Sequence, residues 1–287
     1  MPGERPFLPY GRHFIEDDDI EAVTDVLRGE FLTTGPVVDA FENKLAEVTG
    51  ARHVVSCSSG TAALHLTASA LDLGPGDWAI VPAMTFLATA NAARYVGADV
   101  IFADVDAETG LMTSETFEAA RATAMGSVKA VYPVHINGQT ANMAAIRQVA
   151  GDMPIVEDAC HALGGVHKAA NGEWVPVGSC AYSEMSIFSF HPVKTVAMGE
   201  GGAVTTNDDH LAERLRRHRN IGMNRNPETI ENAGQAFDTS GEINPWYYEM
   251  PELGLNYRAS AVHCALGLNQ LGKLERFVGI RNRLVER

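Results

Sequence analysis

The chain has 287 residues, 46% of them hydrophobic and 20% charged, enough to bury a sizeable core as one large or two smaller domains. Its 36 acidic against 22 basic side chains give a formal net charge of −14, which argues against a nucleic-acid or anionic-membrane surface, since either needs a basic patch. No apolar run approaches the roughly 18 to 20 residues of a membrane span, and the opening MPGERPFLPYGRHF lacks the apolar centre of a signal peptide, so the chain reads as cytoplasmic.

In chain order, DDDIEAVTDVLRGE reads as a helix with an acidic first turn and Ile20, Val23 and Leu27 on one face. PVVDAFENKLAEVTG repeats the pattern through Val38, Phe41, Leu45 and Val48. HVVSCSSGTAALHLTASALDLGPGD is a strand, a small-residue turn and a helix. Further strands are read in WAIVP, DVIFADV, VKAVYPVH, PIVEDA, SIFSF and GGAVTTN, with helices FLATANAARYVGA, SETFEAARATA and TANMAAIRQVAG between them. The alternation predicts an α/β fold, and the nearly continuous apolar strands predict a largely parallel sheet with helices on both faces. DDHLAERLRRHRN is a charged helix followed by some thirty polar residues without periodicity, a length that is usually functional or disordered. Residues 259–287 read as one long helix with no stop at Arg287, so a further C-terminal portion is expected. The scattered Cys57, Cys160, Cys180 and Cys264 have no metal-type spacing and read as reduced, buried thiols.

In open parallel sheets ligands gather beyond the carboxyl ends of the strands. After HVVSC, the SSGTAA turn places Gly60 and Thr61 at a helix start, where amides and dipole can hold a phosphate without net positive charge. A tight connection would leave the same pattern, and its spacing fits neither a Walker loop nor a dinucleotide fingerprint. After PIV come Glu157 and Asp158 of EDACHA; a buried carboxylate there needs a cation or several donors, or is a helix cap or salt bridge. His161 alone reads equally as a structural histidine. After SIFSF, HPVKTVAMGEGG sets Lys194 among Pro192, Gly199, Gly201 and Gly202, where it is either a nucleophile toward carbonyls or a lysine reaching an acid. WAIVPAMTFLATA offers Phe86 as a stacking aromatic or as core. A phosphate cradle, a buried aspartate and a sequestered lysine at successive strand ends are together what pyridoxal phosphate (PLP) demands.

These residues resemble the fold-type I PLP-dependent enzymes of the DegT/DnrJ/EryC1/StrS group, the nucleotide-sugar aminotransferases. The resemblance runs from GRHFIEDDDIEAV and LTTGPVVDAFE through SSGTAAL, VPAMTFLATANA, VEDACHALGG and FSFHPVKTVAMGEGGAVTTND to GLNYRASAVHCALGLNQL. It implies Lys194 as the Schiff-base lysine, Asp158 as partner of the pyridine nitrogen, His161 against the ring or its 3-hydroxyl, and Phe86 as the stacking aromatic. Gly60, Thr61 and Ser189 would bind the phosphate, and Asn256 would reach the phosphate of a neighbouring subunit, so the resemblance implies a homodimer with shared sites. Residues 1–258 would form the large PLP-binding domain and 259–287 a helix leading toward a largely absent small C-terminal domain. Within the group the sequence is most similar to UDP-4-amino-4,6-dideoxy-N-acetyl-β-L-altrosamine transaminases, implying glutamate as donor and a UDP-4-keto-6-deoxy-N-acetylhexosamine, aminated at C4, as acceptor. NYRASAVH departs from the group, where an acid often follows NYR. A related sugar dehydratase would carry histidine in place of Lys194. Another keto-sugar, a cyclitol ketone, a PLP decarboxylase or a non-catalytic module remain open on the same fold.

Overall fold

Each apolar run read as a strand is one in the computed structural model, which describes residues 7, 9, 11–169 and 172–286. In chain order the elements are α1 (Asp17–Arg28), α2 (Pro36–Thr49), β1 (His53–Cys57), α3 (Gly60–Ala70), β2 (Asp77–Pro82), α4 (Leu87–Tyr95), β3 (Asp99–Ala103), α5 (Ser114–Ala122), β4 (Ser127–Val131), α6 (Met143–Ala150), β5 (Val156–Asp158), β6 (Val166–Lys168), β7 (Trp174–Pro176), β8 (Met185–Ser189), β9 (Gly202–Thr206), α7 (Asp209–Arg219), α8 (Ala233–Ala236), α9 (Ala261–Leu271) and α10 (Leu274–Val285).

One ladder runs β1-β9-β8-β5 and another β3-β2-β4, and parallel bridges from Val131 to Ile155 and from Val134 to Asp158 join β4 to β5. The order across the joined sheet is therefore β3-β2-β4-β5-β8-β9-β1. The β2–β3, β2–β4 and β5–β8 pairs are parallel, whereas β9 runs against both β8 and β1. With β9 alone reversed, β1 and β8 point the same way, and the sheet is mostly parallel as expected.

The pleat sorts the core into two faces. Val55, Ala79, Val81, Val156, Ile187 and Val204 pack under α3, α4 and α7. Their alternates face the other side. Val54, Phe188 and Ala203 meet α2 and α9, and Ile80, Ile101, Val131 and Ile155 meet α5 and α6.

Two expectations fail. On α1, Ile20 and Leu27 are 57% and 59% exposed, while the buried positions are Val26 and Asp19. The cause is polar: Asp19 accepts from Gln270 (2.8 Å), Asn269 (2.8 Å) and Lys273 (2.9 Å), and this network turns the helix. The 259–287 segment is also two helices. Gly272 and Lys273 donate to Asn269 and Gln270 in tightened turns, and the Lys273 ammonium is tied to Glu16, Asp18 and Asp19. The β6–β7 hairpin was not foreseen. The polar segment after α7 is hydrogen-bonded rather than loose, with Asn224 pairing to Glu249 and Phe237 to Ile243.

Burial pushes the Asp19 carboxyl up, but donors from Glu16, Lys273, Asn269 and Gln270 outweigh this and hold it below its ordinary range; hydrogen bonds from Arg276 and Lys273 lower Glu16 and Asp18. Desolvation acts against the Lys273 charge, yet its three carboxylates raise its pKa. Depressed carboxylates stabilise the fold above their unfolded values of 3.8 to 4.5, and that stability is lost as pH falls through the folded values. The Lys273 contribution is complete below 10.5 and is lost as pH rises through its raised value. Lys273→Met is therefore expected to lower the melting temperature between these limits and to flatten its fall below about pH 4.5, read by thermal scans of parent and variant against pH.

Candidate active site

Five parallel strands, β1, β2, β4, β5 and β8, end on one edge of the sheet. Beyond them lies a cavity of about 570 Å³ lined by Ser59, Gly60, Thr61, Phe86, Asp158, Cys160, His161, Ser189, His191 and Lys194. The size suits a small organic ligand.

The loop carrying Lys194 closes on Phe190, whose N–H donates to Gly201 O (2.9 Å) and whose carbonyl accepts from Met198 N–H (2.9 Å). Phe190 is fully buried against Phe41, with ring centroids 5.3 Å apart, so both ends of the loop are anchored in the core. Within it the Lys194 N–H donates to His191 O (2.8 Å), and Arg281 donates to Lys194 O (2.9 Å). The Lys194 side chain is half-buried and its amine makes no ion pair or hydrogen bond among the described residues.

Ser59 caps α3 by accepting the Ala62 N–H (3.1 Å), and the Gly60 and Thr61 amides precede the first intrahelical bond, from Ala63 to Ser59. A Cβ on Gly60 would sit 2.7 Å from Ser189 Cβ, and one on Gly202 would sit 2.2 Å from Ser59 O. Glycine at both positions is thus what lets the α3 turn lie against β8 and β9, with the Ser189 hydroxyl only 3.1 Å from where a Gly60 Cβ would stand.

Asp158 is 4% exposed. Its Oδ2 accepts from Thr89 (2.7 Å), which is joined to Thr85 (2.8 Å), and its Oδ1 accepts from the Cys160 N–H (3.2 Å). The carboxylate is held by neutral donors, with no cation bound to it among the described residues. His161 Nδ1 accepts from the Asn137 amide (3.2 Å); burial lowers its pKa, Lys194 lowers it further and Asp158 opposes, so the ring is neutral at physiological pH. Burial pushes the Cys57, Cys180 and Cys264 thiols up to about 12 and raises Cys160 well above its ordinary value, leaving four protonated, free thiols that are poor nucleophiles.

The sequence pattern of the DegT/DnrJ/EryC1/StrS aminotransferase family matches residues 13–287. The chain belongs to that family. Among solved structures it is similar to Spr1654 from Streptococcus pneumoniae, described as a sugar aminotransferase, in its PLP form: 26% identity, 97% of this chain and 70% of that one, TM-score 0.82. It also resembles a family aminotransferase from Brucella abortus (30% identity, 94% and 67% coverage, TM-score 0.79). A third is Helicobacter pylori PseC, an aminotransferase of pseudoaminic acid biosynthesis (26% identity, 93% and 66% coverage, TM-score 0.78). The protein is a PLP-dependent sugar aminotransferase, and its fold is that of the fold-type I enzymes. The cavity suits PLP: helix-start amides and a hydroxyl made adjacent by Gly60 at one wall, a buried carboxylate, and an unpaired amine.

The structure thus brings Lys194, Asp158, His161, Gly60, Thr61, Phe86 and Ser189 to one cavity. Phe86 is 70% exposed at the mouth, so it is not core. Asn256 does not line its own chain's cavity; it is exposed, with its backbone bridged to Asn220. Sequence reading missed Thr89, a fully buried polar residue on an otherwise Ala-rich helix face, and missed that Glu157 points away from Asp158 into a cluster with His135 and His167.

Proposed function

We propose that this enzyme transfers the amino group of L-glutamate to C4 of a UDP-4-keto-6-deoxy-N-acetylhexosamine. The observation that carries its chemistry is the convergence of an unpaired lysine, a buried aspartate and a helix start on one cavity. The similarity to PseC and the sequence around Lys194 support the choice of sugar. When bound, PLP supplies an electron sink that stabilises negative charge on the carbon attached to the transferred nitrogen. The Gly60 and Thr61 amides and the Ser189 hydroxyl would hold its phosphate, Phe86 would lie against the ring, and Asp158 would keep the ring nitrogen protonated. His161 would sit against the ring or its 3-hydroxyl. Lys194, whose amine has no partner among the described residues, would hold the cofactor in the resting enzyme and, once freed by glutamate, would carry the proton at the donor's α-carbon. Donor and ketone would use the same residues in turn, a ping-pong cycle.

The working unit in this proposal is a homodimer in which Asn256 of each chain reaches its neighbour's phosphate. The exposed Trp246, Tyr248, Met250 and Leu253 on the segment leading to Asn256 support an interface there. Among the described residues no helix is long and apolar enough to cross a membrane; a cytoplasmic site of action is proposed with the rest.

The decisive assay offers the glutamate-treated enzyme a UDP-linked 4-keto-hexosamine and an inosose-type ketone in parallel. Turnover of the first and not the second is expected; the opposite preference would reassign the substrate to cyclitols. Light scattering that reports only monomer in the active preparation would remove the shared site.

A further inference from the structure

Behind β5, on the side away from the cavity, Glu157 (1% exposed), His135 (0%) and His167 (4%) form a buried cluster. Glu157 Oε2 lies 2.8 Å from His135 Nε2 and 3.0 Å from His167 Nε2, and Oε1 accepts from the Ser183 hydroxyl. Burial acts to raise the Glu157 pKa, but the donors from His135 and His167 outweigh it and keep the group ionised. Three such side chains within reach of one another are also a metal-ligand set. The hydrogen bonds decide otherwise. The Ala141 amide donates to His135 Nδ1 (3.2 Å), so Nδ1 is the acceptor and the proton sits on Nε2, where it is donated to Glu157 and blocks coordination.

His135 therefore ties two things together. Its ring bonds close residues 135–141 into a tight turn, helped by the Gly138 N–H donating to His135 O (3.3 Å). Its N–H donates to Asp158 O (3.0 Å), while the Asp158 N–H donates to Pro133 O (2.9 Å), so the turn is fixed to the strand end that bears Asp158. Inside the turn Asn137 takes a left-handed conformation (φ 55°) and presents its amide to His161 Nδ1 at 3.2 Å. Ile136, beside it, lines the cavity.

We propose that His135 is a positioning residue: clamped in the Nε2–H tautomer between Glu157 and the Ala141 amide, it folds the 135–141 turn so that the Asn137 amide fixes the orientation and tautomer of His161. His161 is then a neutral ring with Nδ1 occupied and Nε2–H as its donor, set before any ligand arrives. The inference rests on His161 belonging to the cofactor cavity, but its test does not require catalysis.

The test uses the full chain without cofactor, labelled with ¹⁵N-histidine, together with PLP titrations of the same samples. In the parent, His135 and His161 should both show the Nε2–H tautomer; Nδ1–H on either overturns the proposal, whatever the variants do. His135→Asn keeps an acceptor at the Nδ1 position, and is expected to leave the His161 signals and the PLP affinity within about twofold of the parent. His135→Gln keeps a donor toward Glu157 but no acceptor for Ala141, and should let His161 exchange between tautomers and weaken PLP binding about tenfold. Equal behaviour of the two variants, or unchanged His161 signals in folded His135→Gln, would sink it. A chain with the expected tautomers that fails to bind PLP would instead count against the proposed function.

Discussion

Lys194→Ala is expected to slow the glutamate half-reaction by at least about 10²- to 10⁴-fold, the usual contribution of one positioned proton-transfer group, with the loss of covalent anchoring added to it. The loss should be chemical and not structural. The Lys194 side chain makes no ion pair or hydrogen bond among the described residues, and the loop that bears it is held through backbone bonds to Phe190 that an alanine leaves in place. The melting temperature should therefore stay close to the parent value, and PLP should still bind through the α3 amides and Asp158. Two measurements read this together: the absorbance change when glutamate is added to the PLP-loaded variant, and the mass of the borohydride-treated chain, which gains a pyridoxyl group on the Lys194 peptide in the parent and not in the variant. Parent-like turnover would remove Lys194 from the chemistry.

The sheet was legible because its strands are buried on both faces, which writes them as continuous Val, Ile and Ala runs, and because glycine and proline mark the loops between them. The candidate site stood out for a related reason: a carboxylate and a lysine after such runs each had a structural alternative, and it was their coincidence with a helix-start turn at neighbouring strand ends that pointed to one ligand. What escaped has physical causes too. The apolar stripe of α1 predicted the wrong face because Asp19 finds four donors, most of them more than two hundred residues away, and periodicity cannot see them. His135 lies beyond the end of β4, Glu157 within β5 and His167 in the separate β6–β7 hairpin, so only the tertiary fold brings them together. Asn256 stands outside its own chain's cavity, and only the family resemblance assigns it to a neighbour's.

Asp158→Asn tests the other half of the proposed chemistry, and its expected cost is about 10²- to 10³-fold in turnover, comparable to removing one preorganised electrostatic group. The substitution is nearly isosteric, and the surroundings can accept it. The asparagine carbonyl can still take the Cys160 N–H, and its amide can donate to Thr89 Oγ1, since Thr89 can turn its own proton toward Thr85. Packing around a 4%-exposed position is thereby kept, and the change falls on charge alone. An amide cannot hold a proton on the pyridine nitrogen as a carboxylate does, so the ring accepts electrons poorly and proton removal from the donor's α-carbon slows. This separates the role from a merely structural one. Turnover should fall far more than PLP affinity, and the melting temperature should move by no more than a few degrees, about what 1 kcal/mol produces in a chain of this size. A variant that matches the parent in turnover, or one whose melting temperature collapses in step with its activity, would show that Asp158 serves the fold and that the ring nitrogen is held elsewhere.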